Sequence, residues 1–451
     1  MTKHLKFWPL LLVALSGCNA NSAPNPAETA AMPATQTVAP TKTETALDRY
    51  IARPETAYKW ADAPELVQSA NETDLRLTSQ NWQGHTWTHR VQIFVPQKMT
   101  QPDACLINVS FGSGSFAETF AGQALADATG NTVVNLFNVP NQPLYDRTED
   151  DLIAYTFAKY LETGDETWPL LLPMTKSVTQ AMNALQQWSN QNGRAKLTRF
   201  IISGASKRGW TTDLVAAVDP RVVGIVPIVY DNLNIPAQVR NQIQNWGKTS
   251  DLTEAYNSIG LFSKMQTPEG KKLLEIVDPY TYRARLTMPK LFVHATNDGY
   301  WSLDSQKFYW NELPGENRLF EVPNVPHTLG NSFAAVAGSA AAWGKLVLAG
   351  KEVPKVKLEV METNGKREFV ATTDGAPSVV RLWLANSASH DFRRAEWRSL
   401  ELLPKGGAYR ATLTDDQLFG RGANVAAFAE IEVEAKPLPL RLSSLLWEGA
   451  K

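Results

Sequence analysis

The stretch RFIISGASKRGWTTDLVAAVDP, Arg199 to Pro220, decides how this chain is read. Phe200-Ile201-Ile202 is a short apolar run of the kind that forms a buried strand. Gly204-Ala205-Ser206 follows, and a helix is predicted from about Trp210. Strand, tight turn with Ser at its tip, then helix is a nucleophile elbow, which presents a hydroxyl on a strained backbone. Strand and helix pass close together there, so small residues are needed around the Ser. Gly204 supplies one, two residues before it. The second is expected two residues after, where Arg208 stands, and Gly209 comes one place late. The competing reading is an ordinary strand-to-helix turn that contains a Ser. The rest of the chain must therefore supply a base and an acid.

The chain has six His. His4 lies in a leader, His85 and His89 in an early strand pattern, His294 inside the strand Pro289 to His294, and His390 near the end. Only His327 sits in a loop after a late apolar strand, Arg318 to Val322. Asp298 follows the strand before that one, with Asp231 and Asp304 as alternative acids. The order Ser206, Asp298, His327 is a known order for a hydrolytic triad, with each residue at the end of a separate strand. Earlier, Ala104 to Val109 reads as a strand running into Ser110-Phe111-Gly112-Ser113-Gly114-Ser115. Such a turn can aim backbone N–H groups at a developing oxyanion. Gly112 and Ser113 are the candidates there, and the N–H of Lys207, next to the Ser, is the other donor. Phosphate binding is the rival reading, but the turn lacks the Walker and GxGxxG spacings.

Length and composition bound the rest. A chain of 451 residues favours two or three domains. A net charge of -1 with no basic stripe leaves nucleic-acid binding without a footprint. Lys3 and Lys6 precede an apolar run, Leu10 to Leu15, and Leu15-Ser16-Gly17-Cys18 resembles a bacterial lipobox. That run is too short to span a membrane. Residues 1–18 are thus expected to be a lipoprotein signal with Cys18 as the acylated residue. Asn19 after it, in place of Asp, points to the outer membrane. Residues 19–46, rich in Ala, Pro, Thr and Asn, read as a tether. The only other cysteine, Cys105, sits mid-strand and reads as a core residue. His85 and His89 invite a metal reading, but on a strand they are spaced too widely for one ion and lack a third ligand. Glu149-Asp150-Asp151 opens a predicted helix, where acid is favourable. A grip on a substrate cation is the alternative.

Several longer runs carry a resemblance. They are Val139-Pro140-Asn141-Gln142-Pro143-Leu144, Glu149-Asp150-Asp151-Leu152-Ile153-Ala154-Tyr155, Trp168 to Lys176, Gly204 to Trp210, and Pro323-Asn324. Together they resemble the PhoPQ-activated pathogenicity-related protein family, from about residue 48 onward. The resemblance implies an α/β-hydrolase fold and no particular substrate. One departure is the turn at Gly112, where Ser113 splits the glycines that the family tends to keep together. The elbow is also similar to that of glucuronoyl esterases, where a basic residue follows the nucleophile. That likeness implies a cationic role for Lys207 near the oxyanion; the competing reading is a solvated surface lysine.

The expected architecture is an α/β-hydrolase domain over 47–350, a doubly wound, mostly parallel sheet with a helical cap at about 232–286. From about Lys355 the pattern turns to some seven short strands, read as an immunoglobulin-like sandwich over 351–451. The expected function is an exported, envelope-anchored serine hydrolase, a carboxylesterase or a peptidase. Its substrate would be a small-molecule, peptide or carbohydrate ester or amide. No metal or cofactor is implied, the membrane is met through the lipid alone, and the oligomeric state stays open. The alternative is a non-catalytic binding or signalling lipoprotein on a hydrolase scaffold.

Overall fold

The computed structural model describes residues 44–67, 72–112, 114, 116–420 and 422–450. The lipobox with Cys18, the tether up to residue 43 and Ser113 lie outside the described residues. Thr45 and Ala46, assigned to the tether by sequence, belong to the fold. Thr45 and Asp48 form a reciprocal capping box on helix α1 (Ala46–Ala52).

The sheet begins with antiparallel strands β1 (Lys59–Asp62), β2 (Glu72–Trp82) and β3 (His85–Phe94). It continues with β4 (Ala104–Val109), β5 (Thr132–Leu136), β6 (Arg199–Ala205), β7 (Val222–Ile228), β8 (Lys290–Ala295) and β9 (Asn317–Val322). The spatial order is β1-β2-β3-β5-β4-β6-β7-β8-β9, and every pair from β5 to β9 is parallel. Parallel neighbours need crossovers, and helices supply them. These are α2 (Phe116–Thr129), α3 (Glu149–Thr163), α4 (Leu171–Gln191) and α5 (Lys207–Val218), with α10 (Phe333–Leu348) closing the set. Between β7 and β8 lies the cap: α6 (Ile235–Trp246), α7 (Glu254–Ser258), α8 (Leu261–Lys264) and α9 (Pro268–Val277). This is the α/β-hydrolase fold.

Strand side chains alternate between faces, and the core divides accordingly. Phe200, Ile202 and Ile225 join the cluster under α4 and α5, whereas Ile201 and Val226 join the one under α10, around the buried Trp343. Central strands buried on both faces read as unbroken apolar runs, which is why Phe200-Ile201-Ile202 shows no alternation. Cys105 is fully buried in β4, and burial pushes its thiol up. His89 is also buried. Its Nε2 lies 2.9 Å from Ser79 Oγ and its Nδ1 3.2 Å from the Phe137 carbonyl, and burial pushes it down to about 4. His85 instead packs edge-on against Tyr145.

Residues 356–450 form nine strands: β10 (Val356–Thr363), β11 (Lys366–Thr373), β12 (Val379–Ser387), β13 (Arg398–Glu401), β14 (Leu403–Lys405), β15 (Ala408–Thr414), β16 (Asn424–Ala435), β17 (Leu438–Ser443) and β18 (Trp447–Ala450). The sequence pattern suggests some seven short strands there, two fewer than the structure has among the described residues. One antiparallel sheet runs β10-β11-β15-β14. The other, β17-β16-β12-β13 with β18 on β16, continues the central sheet, because Ser443 of β17 pairs with Leu319 of β9. Ser443 Oγ also accepts the Glu321 N–H at 3.0 Å. Phe369, Leu382, Ile431 and Leu442 share one core cluster with Phe320 and Trp343. The described residues form one compact unit.

Asp213, on α5, is fully buried, and neither of its oxygens meets a hydrogen-bond partner among the described residues. Burial pushes its carboxyl well above the usual range, with Lys290 pulling the other way. The native state therefore holds a proton that the unfolded chain releases near pH 4. Stability from this group is full below that pH and is lost as pH rises toward the raised native value. Asp213→Asn should remove that loss. Urea unfolding at pH 5 and pH 8 should show the variant gaining on wild type by more than about 1 kcal/mol at the higher pH. An equal difference at both pH values would refute the assignment.

Candidate active site

Ser206 follows β6 and stands at the N-terminus of α5, with φ 57° and ψ -122°. A residue with a side chain costs roughly 1–3 kcal/mol in such a region, so its neighbours must hold it there. Gly204 and Gly209 make that possible. A Cβ on Gly204 would lie 2.6 Å from the Arg208 carbonyl oxygen, and one on Gly209 would lie 2.8 Å from Tyr230 Cβ. The small residue that arrives one place late thus serves a different contact, against the end of β7. Arg208 can be large because its side chain leaves the elbow. Its Nε donates to the Val139 carbonyl at 2.7 Å, and its guanidinium forks onto both Glu149 oxygens. Phe111 lies 5.1 Å beneath it.

Asp298 follows β8 and His327 follows β9. His327 Nε2 is 2.9 Å from Ser206 Oγ, and its Nδ1 is 2.7 Å from Asp298 Oδ2. The second Asp298 oxygen accepts the Tyr300 N–H at 2.7 Å, and the Tyr300 ring lies 4.3 Å from the imidazole. The alternative acids are engaged elsewhere. Asp231 accepts the Tyr309 hydroxyl at 2.7 Å, and Asp304 accepts from Asn241, Ser302 and Lys307. Burial raises Asp231 to about 7.

Lys207 is buried and paired, which excludes a solvated surface role. Its Nζ is 3.0 Å from Asp150 and 3.3 Å from Glu149. Its backbone N–H opens α5, a position without an intrahelical acceptor. Asp150 also accepts the Tyr256 hydroxyl at 2.8 Å and the Tyr300 hydroxyl at 2.9 Å. Burial would push the Glu149 carboxyl up, but Arg208 and Lys207 outweigh it and hold it at about 2. The acidic run therefore does more than favour the start of α3. Two of its carboxylates neutralise the two cations that follow Ser206. Sequence reasoning missed this, although two consecutive cations at the elbow and an acidic run at a helix start are each visible in the chain. Gly112 has φ +72° and lines a surface cleft with Arg90 and Asn138.

A loop of the C-terminal region grips both strand ends. Asn297, just before the acid, donates to the carbonyls of Phe392, Arg393 and Ala395 at 3.4, 3.3 and 2.7 Å. Asn324, just ahead of the base, accepts the Trp397 N–H at 2.7 Å and donates to the Trp397 carbonyl at 2.8 Å. Arg393 lies 4.0 Å over Trp246 of the cap.

Known proteins resemble this chain in sequence and in shape. "Autocrine proliferation repressor protein A" of Dictyostelium discoideum is 33% identical over 380 residues, 77% of this chain and 76% of that protein. Among solved structures, acetyl xylan esterase 1 from Thermoanaerobacterium is 15% identical with a TM-score of 0.45, covering 67% of this chain and 92% of that one. The acylaminoacyl peptidase of Pyrococcus horikoshii is 13% identical with a TM-score of 0.40, covering 65% and 41%. Residues 47–393 match a family over most of the hydrolase scaffold and into the C-terminal strands, and the chain belongs to it: the PhoPQ-activated pathogenicity-related protein family.

Proposed function

We propose that this protein is a serine hydrolase, cleaving an ester or amide through an acyl-enzyme. The supporting observation is the unbroken line from Asp298 through His327 to Ser206, at 2.7 and 2.9 Å. With its Nδ1–H donated to Asp298, His327 accepts the Ser206 proton at Nε2 as Oγ bonds to the carbonyl carbon. The carbonyl π pair moves onto oxygen, where the Lys207 N–H receives it. The oxyanion then collapses, the bond to the leaving group breaks, and Nε2 returns the proton to that group. Water repeats the sequence on the acyl-enzyme and frees Ser206. Gly112 and Ser113 are the proposed source of the second oxyanion donor. In the same reading, Cys18 carries a lipid that fixes the enzyme to the bacterial envelope, at the outer membrane.

A fluorophosphonate probe on the purified chain from Glu44 onward tests the chemistry. Wild type should label at one serine, and Ser206→Ala and His327→Ala should not. A folded wild type that fails to label would overturn the proposal and favour a binding protein on a disused scaffold.

A further inference from the structure

The cavity beside Ser206 encloses about 650 Å³, counting its open mouth. Its floor is the stacked pair Trp210 and Tyr230, whose rings lie 5.4 Å apart. The cap supplies apolar walls, among them Ile235, Val239, Phe262 and Leu274. The two charges on its lining, Lys207 and Asp150, face each other at 3.0 Å. Both are further satisfied, Lys207 by Glu149 and Asp150 by two tyrosine hydroxyls.

We propose that this cavity receives the acyl half of the substrate and selects an uncharged, apolar acyl group, arylacetyl or medium-chain aliphatic. The inference rests on the serine-hydrolase reading above. The assignment to the acyl half follows from proton delivery. The leaving group must take its proton from His327 Nε2, so it departs on the His327 side. The cavity is lined by Ser206 and Lys207 and, among the described residues, not by His327. An acetyl group would leave the aromatic floor and the cap walls uncovered. An acyl group with its own carboxylate would lose its hydration among apolar side chains and meet a lysine already held by two carboxylates.

Nitrophenolate release from the 4-nitrophenyl esters of acetate, butyrate, hexanoate, phenylacetate and glutarate tests this on the chain from Glu44 onward. Burial of a methylene is worth about fourfold in kcat/KM, so hexanoate should exceed acetate by at least about fiftyfold. Phenylacetate should rank with hexanoate, and the monoanionic glutarate should fall at least about tenfold below butyrate. Val239→Trp, which fills the cavity, should shrink the ratio of hexanoate to acetate below about fivefold. A flat series, acetate as the best ester, or glutarate above butyrate would overturn the assignment. Fluorophosphonate labelling separates the two failures. A labelled enzyme with a flat series keeps the serine-hydrolase reading and loses the acyl preference. An unlabelled, inert protein loses both.

Discussion

Asp298→Asn should lower kcat by roughly 10³–10⁴-fold with the fold intact. Asp298 Oδ2 holds the proton of His327 on Nδ1, leaving Nε2 free to accept from Ser206. An asparagine amide can turn its NH₂ toward Nδ1. The imidazole proton then moves to Nε2, and the base is lost although the three side chains keep their places. The Tyr300 N–H favours that orientation, because it keeps the amide oxygen on the side where the other Asp298 oxygen accepts it. The readouts are kcat on a 4-nitrophenyl ester, the rate of fluorophosphonate labelling, and a thermal melt. A variant that keeps more than a tenth of wild-type kcat would mean that the acid lies elsewhere, and Asp231 would be the next residue to change.

The second large effect is expected at Asn297, which touches none of the reacting groups. Its amide donates to three carbonyl oxygens of the loop 392–395. Asn297→Ala removes those bonds and leaves carbonyls unpaired, at a cost of about 1–3 kcal/mol. Asn297→Asp is the harsher change despite its shape, because it sets a carboxylate among the same three oxygens. The Asp variant should melt below the Ala variant. Both should lose kcat by about 10- to 100-fold, since small displacements of a catalytic group are costly. KM should change less than kcat, because most of the cavity lining lies on α3, α5 and the cap, with Tyr300 and Trp301 sharing the Asn297 loop. Asn324→Ala, which frees the loop before the base, should show the same split. Equal kcat in wild type and Asn297→Asp would show that the clasp holds the fold but not the acid.

Much of the fold is legible in the chain because its central strands are continuous apolar runs that end at chemically distinctive loops. Phe200 to Ser206, Leu291 to Asp298 and Leu319 to His327 each show a strand, its end, and a residue to be placed there. The site beyond those three residues was harder to read, for a physical reason. Lys207, Arg208, Glu149 and Asp150 look like surface charges one at a time. Their meaning is pairwise, and the pairs span some sixty residues of sequence, as between Arg208 and Glu149. The exposed-lysine reading of Lys207 fails for the same cause. The C-terminal strands were recognisable by alternation, yet nothing local in Ser443 announces that it pairs with Leu319. Edge-to-edge register is set by what the rest of the fold leaves open. The roles of Asn297 and Asn324 are equally silent, because their partners are main-chain groups that any sequence would supply.

The join between β9 and β17 bears on how the chain is made. Synthesis proceeds from the amino terminus, so β9 forms while β17 is still to come. Until then β9 is a bare sheet edge, a template for pairing with another chain. The loop that grips Asn297 and Asn324 arrives in the same late segment. Protection from aggregation and fixation of the reactive loops are therefore completed together, by the last strands to emerge. A chain that stops short at Leu348 would keep all of Ser206, Asp298 and His327 and still present an open edge with unheld loops.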